Sequence, residues 1–469
     1  MAAALAPRLV RRGLFLDGLT YATIARNLAE GRGRFWEPFY TATLYPAFHE
    51  HPPFAFWLQS LWFRALGDRW WVERVYCAAA AAAIAALTAW TWRLVVPKDS
   101  GEGEETSPPS KAKQPNADRC DWLPVLLWIL VPVVSWTIVG NLLETTVSVF
   151  TSLAVASIVA GGTAATTGRS MAAGALSGLA VVGAVLSKGP VGLFPLAAPL
   201  FLTLLPTVRR RLASASAAQW VALLAVATAL AVNPPARGSI DQYVRHQLVA
   251  SLAGQREVSG HSFTMLVALI PGVWLPMLIA AAVISIAARS KAYPTGNDRR
   301  IALAFTLIGL SGSLPMLVSP KQSGYYLMPA VPFLAIGVAA FIRPIADTLV
   351  SRIQRRAVLI AAAIVALGAT AISVSGLPAL EREPARVAAL DRLATSMPRD
   401  QTVGICPAVN GDWGLHAWFA RRFDVSLDAS AARHQWFVAT PRETPGCVPP
   451  RCATVLDAEG MFVLMRCPE

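Results

Sequence analysis

Charge is what this sequence has least of. Asp, Glu, Lys and Arg together make up 15% of 469 residues against 55% apolar ones, and the mean hydropathy is +0.48. That much apolar surface cannot be hidden in one soluble core, which excludes an ordinary globular enzyme and makes a bilayer the natural solvent. Cysteine is sparse, six in all, so disulfides do not organise the chain as a whole. A glycine-rich phosphate loop of P-loop or Rossmann type is missing, which leaves a soluble nucleotide donor without its usual motif. No internal repeat of about 20–50 residues and no matched pair of interrupted helices is evident, which argues against an inverted-repeat transporter. Residues 1–16 hold Arg8, Arg11 and Arg12 but no apolar run of signal-peptide length. Neither a cleavable signal nor a spanning helix is expected there, and the mature chain is expected to start near Met1.

What is present is mostly membrane helix. Apolar runs of about 17–25 residues place helices near 72–96, 122–138, 145–162, 172–188, 189–206, 218–234, 263–288, 301–318, 325–342 and 357–377. The net charge of +13 sits in short clusters between those runs rather than along one face, so it reads as topology and not as a nucleic-acid surface. Lys98, Lys111, Lys113, Arg119, Arg169, Arg209 to Arg211, Arg289, Lys291, Arg299, Arg300, Arg343, Arg352, Arg355 and Arg356 mark the cytoplasmic loops by the positive-inside rule. Residues 1–71, the turn near 139–144, the Lys188 turn, the 235–262 loop, the 319–324 turn and the tail from 378 then face outward. Ten spans put both termini outside, and a missing first helix, from a late start codon or truncation, would repair that parity.

The expected architecture is mainly α: a polytopic helical membrane protein of about ten spans with a small C-terminal α/β domain. Residues 1–71 form an outward loop with interfacial helices, 72–377 the transmembrane domain and 378–469 the soluble domain. Within the transmembrane part, 99–118 is a flexible cytoplasmic linker rich in Gly, Glu, Ser, Pro and Lys. The tail predicts a helix near 385–397, strands near 402–406 and 434–439, and a hairpin around 457–460. Cys406, Cys447, Cys452 and Cys467 lie in this tail, where four thiols allow three full pairings. Disulfides are favoured over zinc there, because the spacing is not C-x₂-C and the compartment is extracytoplasmic.

Acids and bases from five segments share the outward side. Asp17 begins a helix whose apolar positions 21, 24, 25 and 28 lie on one face, and it reads either as an N-cap or as a functional acid. His49-Glu50-His51-Pro52-Pro53 precedes an aromatic helix too short to span comfortably. His51 at that helix start suits an anion such as a lipid-linked phosphate, or is merely interfacial. Glu144, between two spans, requires hydration, a partner or a metal unless it is an exposed loop residue. Lys188 in Leu186-Ser-Lys-Gly-Pro190 would cost about 3 kcal/mol at the bilayer centre, so it needs an anionic partner or the interface. Lys321, ahead of Tyr325 and Tyr326, is a second outward lysine, for which snorkelling to the headgroups is the plain alternative.

These residues, in this order over about residues 14–345, resemble the aminoarabinose-lipid A transferase and protein O-mannosyltransferase superfamily, the glycosyltransferase family 39 group of GT-C membrane enzymes. The most specific pieces are the Asp17 to Asn27 helix, Pro52-Pro53-Phe-Ala-Phe-Trp57-Leu, Leu186-Ser-Lys188-Gly189, and Lys321 followed by Tyr326 and Pro329. The resemblance implies Asp17 at the reaction centre and Glu144 as a second acid, the two together holding a divalent Mg, Mn or Zn ion. It also implies Lys188 and Lys321 on the donor phosphate. Tyr21, Arg26, Glu50, His51 and Tyr326 join them as substrate-binding candidates. The sequence departs from the family where Gly18 follows Asp17 in place of a frequent Glu, where His51 replaces a lysine before the two prolines, and where Glu144 replaces an Asp. The Lys321 to Tyr326 spacing is one residue longer than in the aminoarabinose transferases, and the family's first helix is missing.

The implied reaction moves a sugar from a polyprenyl-phosphate donor in membrane lipid to an acceptor hydroxyl on lipid, glycan or protein, at the outer face of a bacterial cytoplasmic membrane. Nucleic acid is not an expected partner. The competing class is a transporter or scramblase of anionic lipid-linked substrates, and a third is a non-enzymatic assembly component.

Overall fold

Long apolar runs without an internal proline become helices that satisfy their own backbone, the solution a bilayer demands. In the computed structural model, which describes residues 2–96, 121–253, 285, 293–318, 322–352, 355–375, 381–430, 432, 434–441, 446–447 and 450–468, six helices are long and apolar enough to cross a membrane. The chain opens with α1 (Ala2–Leu9), α2 (Leu16–Ala29), a two-stranded β1 (Gly33–Arg34) and β2 (Glu37–Pro38) pair, and α3 (Phe54–Leu66). The spans are α4 (Val72–Val95), α7 (Leu143–Thr163), α8 (Thr167–Lys188), α11 (Leu212–Val232), and then Gly296–Val318 and Val331–Thr348. Between α4 and α7, α5 (Trp122–Ile129) and α6 (Pro132–Val139) meet at a 77° bend and make a seventh span if counted as one broken helix. Pro132 explains the break, since it has no N–H to give and clashes with the preceding turn.

Against an expectation of about ten spans, the described residues hold six or seven. The apolar segment 189–206 is not a span. Gly189 at φ +89° followed by Pro190, Pro195 and Pro199 yields a 3₁₀ stretch (Pro190–Ala197) and the short α9 (Ala198–Leu202), before α10 (Pro206–Arg209). The run 325–342 begins its helix only at Val331, after a 3₁₀ turn at Gly324–Leu327. The helix Arg355–Val374 has a shorter apolar stretch, Leu359–Val374. The linker 99–118, and the expected helix 263–288 apart from residue 285, lie outside the described residues.

Two compact units result. The membrane-helix unit comprises residues 1–4, 79–138 and 143–367; the sheet-containing unit comprises 5–78, 139–142 and 368–469. In the first, α7, α8 and α11 pack on small residues. A Cβ at Gly174 would enter the Ala215 carbonyl, so only glycine lets these backbones meet. The outer face of α11 stays exposed at Trp220, Val221, Leu224 and Val232, as lipid-facing residues require.

In the second unit a five-stranded sheet has the order β4-β3-β5-β7-β6, from β3 (Thr402–Ile405), β4 (Ser426–Asp428), β5 (Trp436–Ala439), β6 (Ala453–Ala458) and β7 (Phe462–Arg466). Strand β3 is parallel to β4 and β5, whereas β7 is antiparallel to β5 and β6. Helices Pro384–Leu393 and Trp413–Phe423 cover it. Its core joins Val403, Phe419, Val438 and Leu464 to Leu14 and Leu19 from the start of the chain. The expected tail helix, the two strands and the hairpin are all present.

Of the three possible thiol pairings the structure has Cys406 with Cys447 and Cys452 with Cys467, across 41 and 15 residues. Loops of these lengths each remove about 3–4 kcal/mol of unfolded-state entropy in the chain-entropy account. Reduction under non-denaturing conditions is expected to lower the melting temperature of this unit, followed by the near-UV signal of Trp418 and Trp436. An unchanged melting curve would show that the bonds contribute nothing.

Candidate active site

The acid at the start of α2 is held by backbone packing. The helix begins at Leu16, with Phe15 in the N-cap position and no side-chain cap. Asp17 therefore is not the cap but an acid in the first turn, where the helix dipole favours it. Gly18 lies against the Gly140 carbonyl: a Cβ there would overlap that oxygen and sit 3.0 Å from its carbon. Asn141, left-handed at φ +56°, donates its amide to the Gly18 carbonyl (3.0 Å) and accepts from Gln59 Nε2 (3.0 Å) and Cys77 Sγ (3.4 Å). One asparagine thus ties α2, α3 and α4 together beneath Asp17.

Aromatic residues surround the same helix. Tyr40 is buried, and burial pushes its hydroxyl well above the usual range; Thr20, 3.3 Å away, works the other way, and the Asp17 charge adds to the upward push. Tyr21 meets His51 edge to face at 5.8 Å and Phe56 at 5.6 Å. Tyr45 donates to Glu50 (2.8 Å). His51 precedes Pro52 and Pro53, and α3 starts at Phe54. Burial holds the neighbouring His49 below the usual imidazole range, with Glu37 opposing.

Arg26 has a different setting from the other candidates. Its guanidinium is 3% exposed, donates to Asn27 Oδ1 (2.9 Å), and pairs with Asp424 (2.8 Å), Asp68 (3.7 Å) and Glu30 (3.9 Å). Arg421 sits alongside, paired to Asp68 (2.7 Å) and Glu73 (3.0 Å). Burial pulls Arg421 down, but Glu73 and Asp68 more than offset it and hold it above the usual arginine range. These pairs fasten the N-terminal segment to the sheet within one unit.

The membrane-helix unit carries its own cluster. Glu144, in the first turn of α7, is 2% exposed, and its Oε1 accepts from the Lys188 ammonium at the last turn of α8. Its Oε2 is buried with no hydrogen-bond partner among the described residues. Gly189 ends α8 at φ +89°, and the Tyr243 hydroxyl takes the space a side chain at 189 would need, donating to the Lys188 carbonyl (3.2 Å). Burial pushes that hydroxyl up to about 12. Lys188 Nζ lies 4.9 Å from the Tyr326 ring centre and 5.6 Å from that of Tyr325, which in turn stacks on Trp136 at 5.4 Å. An ammonium between a buried carboxylate and two ring faces is a desolvated cation with its charge balanced. Lys321 lies outside the described residues.

The structure thus brings Glu144, Lys188 and Tyr326 together, and separately sets Asp17, Tyr21, Glu50 and His51 around the starts of α2 and α3. Sequence reasoning did not single out Tyr243, Trp136 or Asn141. Each acts through contacts distant in sequence, a signal that periodicity does not carry.

No protein-family model and no curated protein sequence matches the chain. Solved structures do. ArnT from Cupriavidus metallidurans bound to undecaprenyl phosphate is 16% identical with a TM-score of 0.61, covering 99% of this chain and 96% of that one. The same protein in its apo state gives 0.63 at 16% identity, covering 99% and 95%. An oligosaccharyltransferase from Archaeoglobus fulgidus in complex with Zn and sulfate gives 0.50 at 13% identity, covering 94% of this chain and 67% of that one.

That zinc raises the question of a metal here. Among the described residues no three His, Cys, Asp or Glu side chains gather as a metal site. Glu144 already receives an ammonium, and position 18 has no room for a second acid beside Asp17. Neither Glu144, paired with an ammonium, nor Asp17, beside a glycine, presents the acidic ligands that a divalent ion takes. In its course of helices and its appended sheet, the chain has the fold of the GT-C membrane glycosyltransferases.

Proposed function

We propose that the protein transfers a sugar from a polyprenyl-phosphate donor to an acceptor hydroxyl at the outer face of a bacterial cytoplasmic membrane. The observation that carries this reading is the Lys188 ammonium, held by Glu144 and the faces of Tyr325 and Tyr326 at the end of a membrane helix. The negative charge that develops on a phosphate leaving group is what an ammonium positioned in this way would stabilise in the transition state. The Cys406–Cys447 and Cys452–Cys467 bridges support an oxidising, extracytoplasmic side for the sheet-containing unit.

In the proposed reaction the acceptor oxygen attacks the anomeric carbon and the bond from that carbon to the phosphate oxygen breaks. The electron pair leaves on polyprenyl phosphate, and the acceptor proton passes to Asp17 as general base. Lys188, with Lys321, holds the phosphate, and Glu144 positions Lys188. His51, Tyr21 and Glu50 shape the substrate side. Arg26, engaged by three carboxylates, organises the fold around them.

The test is transfer by the purified protein in lipid, from a panel of radiolabelled polyprenyl-phosphate sugars to a membrane extract. Wild type is expected to transfer from at least one donor, and Asp17→Asn, folded by its melting curve, to lose at least a hundredfold in rate, as removal of a general base does. Full activity in Asp17→Asn removes that residue from the mechanism. Lipid translocation without sugar transfer from any donor makes the protein a scramblase.

A further inference from the structure

The sheet-containing unit holds a cavity of about 140 Å³. On the scale of 10–15 Å³ per water this is room for about ten waters, enough for one sugar ring with an anionic substituent. Five arginines line it, Arg12, Arg74, Arg399, Arg421 and Arg422, against three carboxylates, Asp68, Glu73 and Asp391. The lining therefore carries a surplus of two positive charges.

Most of those guanidiniums are engaged. Arg12 (2.5 Å) and Arg422 clasp the two oxygens of Asp391 from either side. Arg421 is committed to Asp68 and Glu73, and Arg74 donates to the carbonyls of Arg11, Gly13 and Val139. Arg399 differs: it is exposed and makes no ion pair among the described residues, yet it lines the same cavity. The Asp391 clasp shows in miniature how this wall receives a carboxylate.

Two indoles complete the lining. The Arg12 guanidinium lies 5.8 Å over the Trp70 ring. Trp418 donates its N–H to Glu383 (3.2 Å), away from the cavity lining, so what it offers the cavity is ring surface. Guanidinium forks match carboxylate and phosphate oxygens, and indole faces offer apolar area to the C–H side of a pyranose. Neither feature alone selects a sugar acid or a sugar phosphate, but together they do.

We propose that this cavity binds a monosaccharide unit bearing a carboxylate or phosphate. The site involves none of the groups given roles in transfer and stands whether or not that reaction is correct. Its test is calorimetric titration of the full-length protein in nanodiscs with glucuronate, glucose 6-phosphate, glucose and inorganic phosphate. At least one of the two anionic sugars is expected to bind, with glucose and inorganic phosphate each at least tenfold weaker; which sugar binds tells carboxylate from phosphate. Arg399→Gln is expected to weaken that binding about tenfold at an unchanged melting temperature. Trp70→Leu should weaken the sugar while leaving inorganic phosphate as before. The proposal is overturned if neither anionic sugar binds, if Arg399→Gln binds as wild type does, or if inorganic phosphate or glucose binds as tightly as the anionic sugars.

Discussion

Lys188→Ala is expected to lower stability by about 3–5 kcal/mol, because it removes the ammonium from a carboxylate with almost no access to solvent. Glu144 is 2% exposed, one of its oxygens faces Lys188, and the other has no partner among the described residues. The reverse change, Glu144→Gln, is milder, since Lys188 retains the faces of Tyr325 and Tyr326 and is itself 14% exposed. The double variant Glu144→Gln with Lys188→Gln replaces the ion pair by two amides that can bond each other. It is expected to recover most of the loss, with a coupling energy of about 1–3 kcal/mol in the double-mutant cycle. Stability and chemistry then separate. A folded double variant lacks the Lys188 cation proposed for the leaving phosphate, and its transfer rate is expected to fall by about 10² to 10³, the cost of losing one preorganised electrostatic contact. Melting curves and initial rates on all four proteins decide the matter. Wild-type rates in the double variant would make the pair a structural clamp and remove Lys188 from the mechanism.

That cluster was half legible in the sequence. Glu144 and Lys188 stand out because an ionisable residue beside a long apolar run is costly, and Tyr326 because it follows a lysine at a turn. Tyr243 carries no such mark. It matters only because Gly189 turns left-handed and leaves room for its hydroxyl. Arg26 shows the opposite case. The sequence offers it as a substrate-binding candidate, and its pairing with Asp424, 398 residues away, is one that spacing does not reveal.

The spans show the same division. The runs at 72–96, 145–162 and 172–188 are read directly from hydropathy, whereas 189–206 is as apolar and does not form one long helix because three prolines and a left-handed glycine break the hydrogen-bond ladder. The helix Trp413–Phe423 was missed although its signals are ordinary. Asp412 caps it by accepting from Leu415 N (3.0 Å), and Leu415, Trp418, Phe419 and Phe423 repeat at helical spacing. It is short, and the polar loops around it mask the period.

Gly18→Glu, which restores the second acid that many members of the resembling family carry beside Asp17, is expected to prevent folding. The obstacle is the first carbon of the side chain. A Cβ at this position would overlap the Gly140 oxygen and stand 3.2 Å from Asn141 Cβ. Moving the 139–142 turn away would break the hydrogen bond from the Asn141 amide to the Gly18 carbonyl and, with it, those from Gln59 and Cys77 that converge on Asn141. Overpacking costs about 1–3 kcal/mol, and each buried polar group left unsatisfied costs about 1–3 kcal/mol more. The sum is a large part of the about 5–15 kcal/mol that holds a typical domain. Gly18→Ala already meets the same obstacle, so both variants should give little monodisperse protein, and any that survives should melt well below wild type. Gly18→Glu with a wild-type melting curve would mean that the turn yields freely, and would reopen a paired-acid site at Asp17. With the turn rigid, the packing of α2 on residues 139–142 leaves Asp17 without a neighbouring acid at position 18. As the proposed general base, Asp17 then acts without a second acid at position 18.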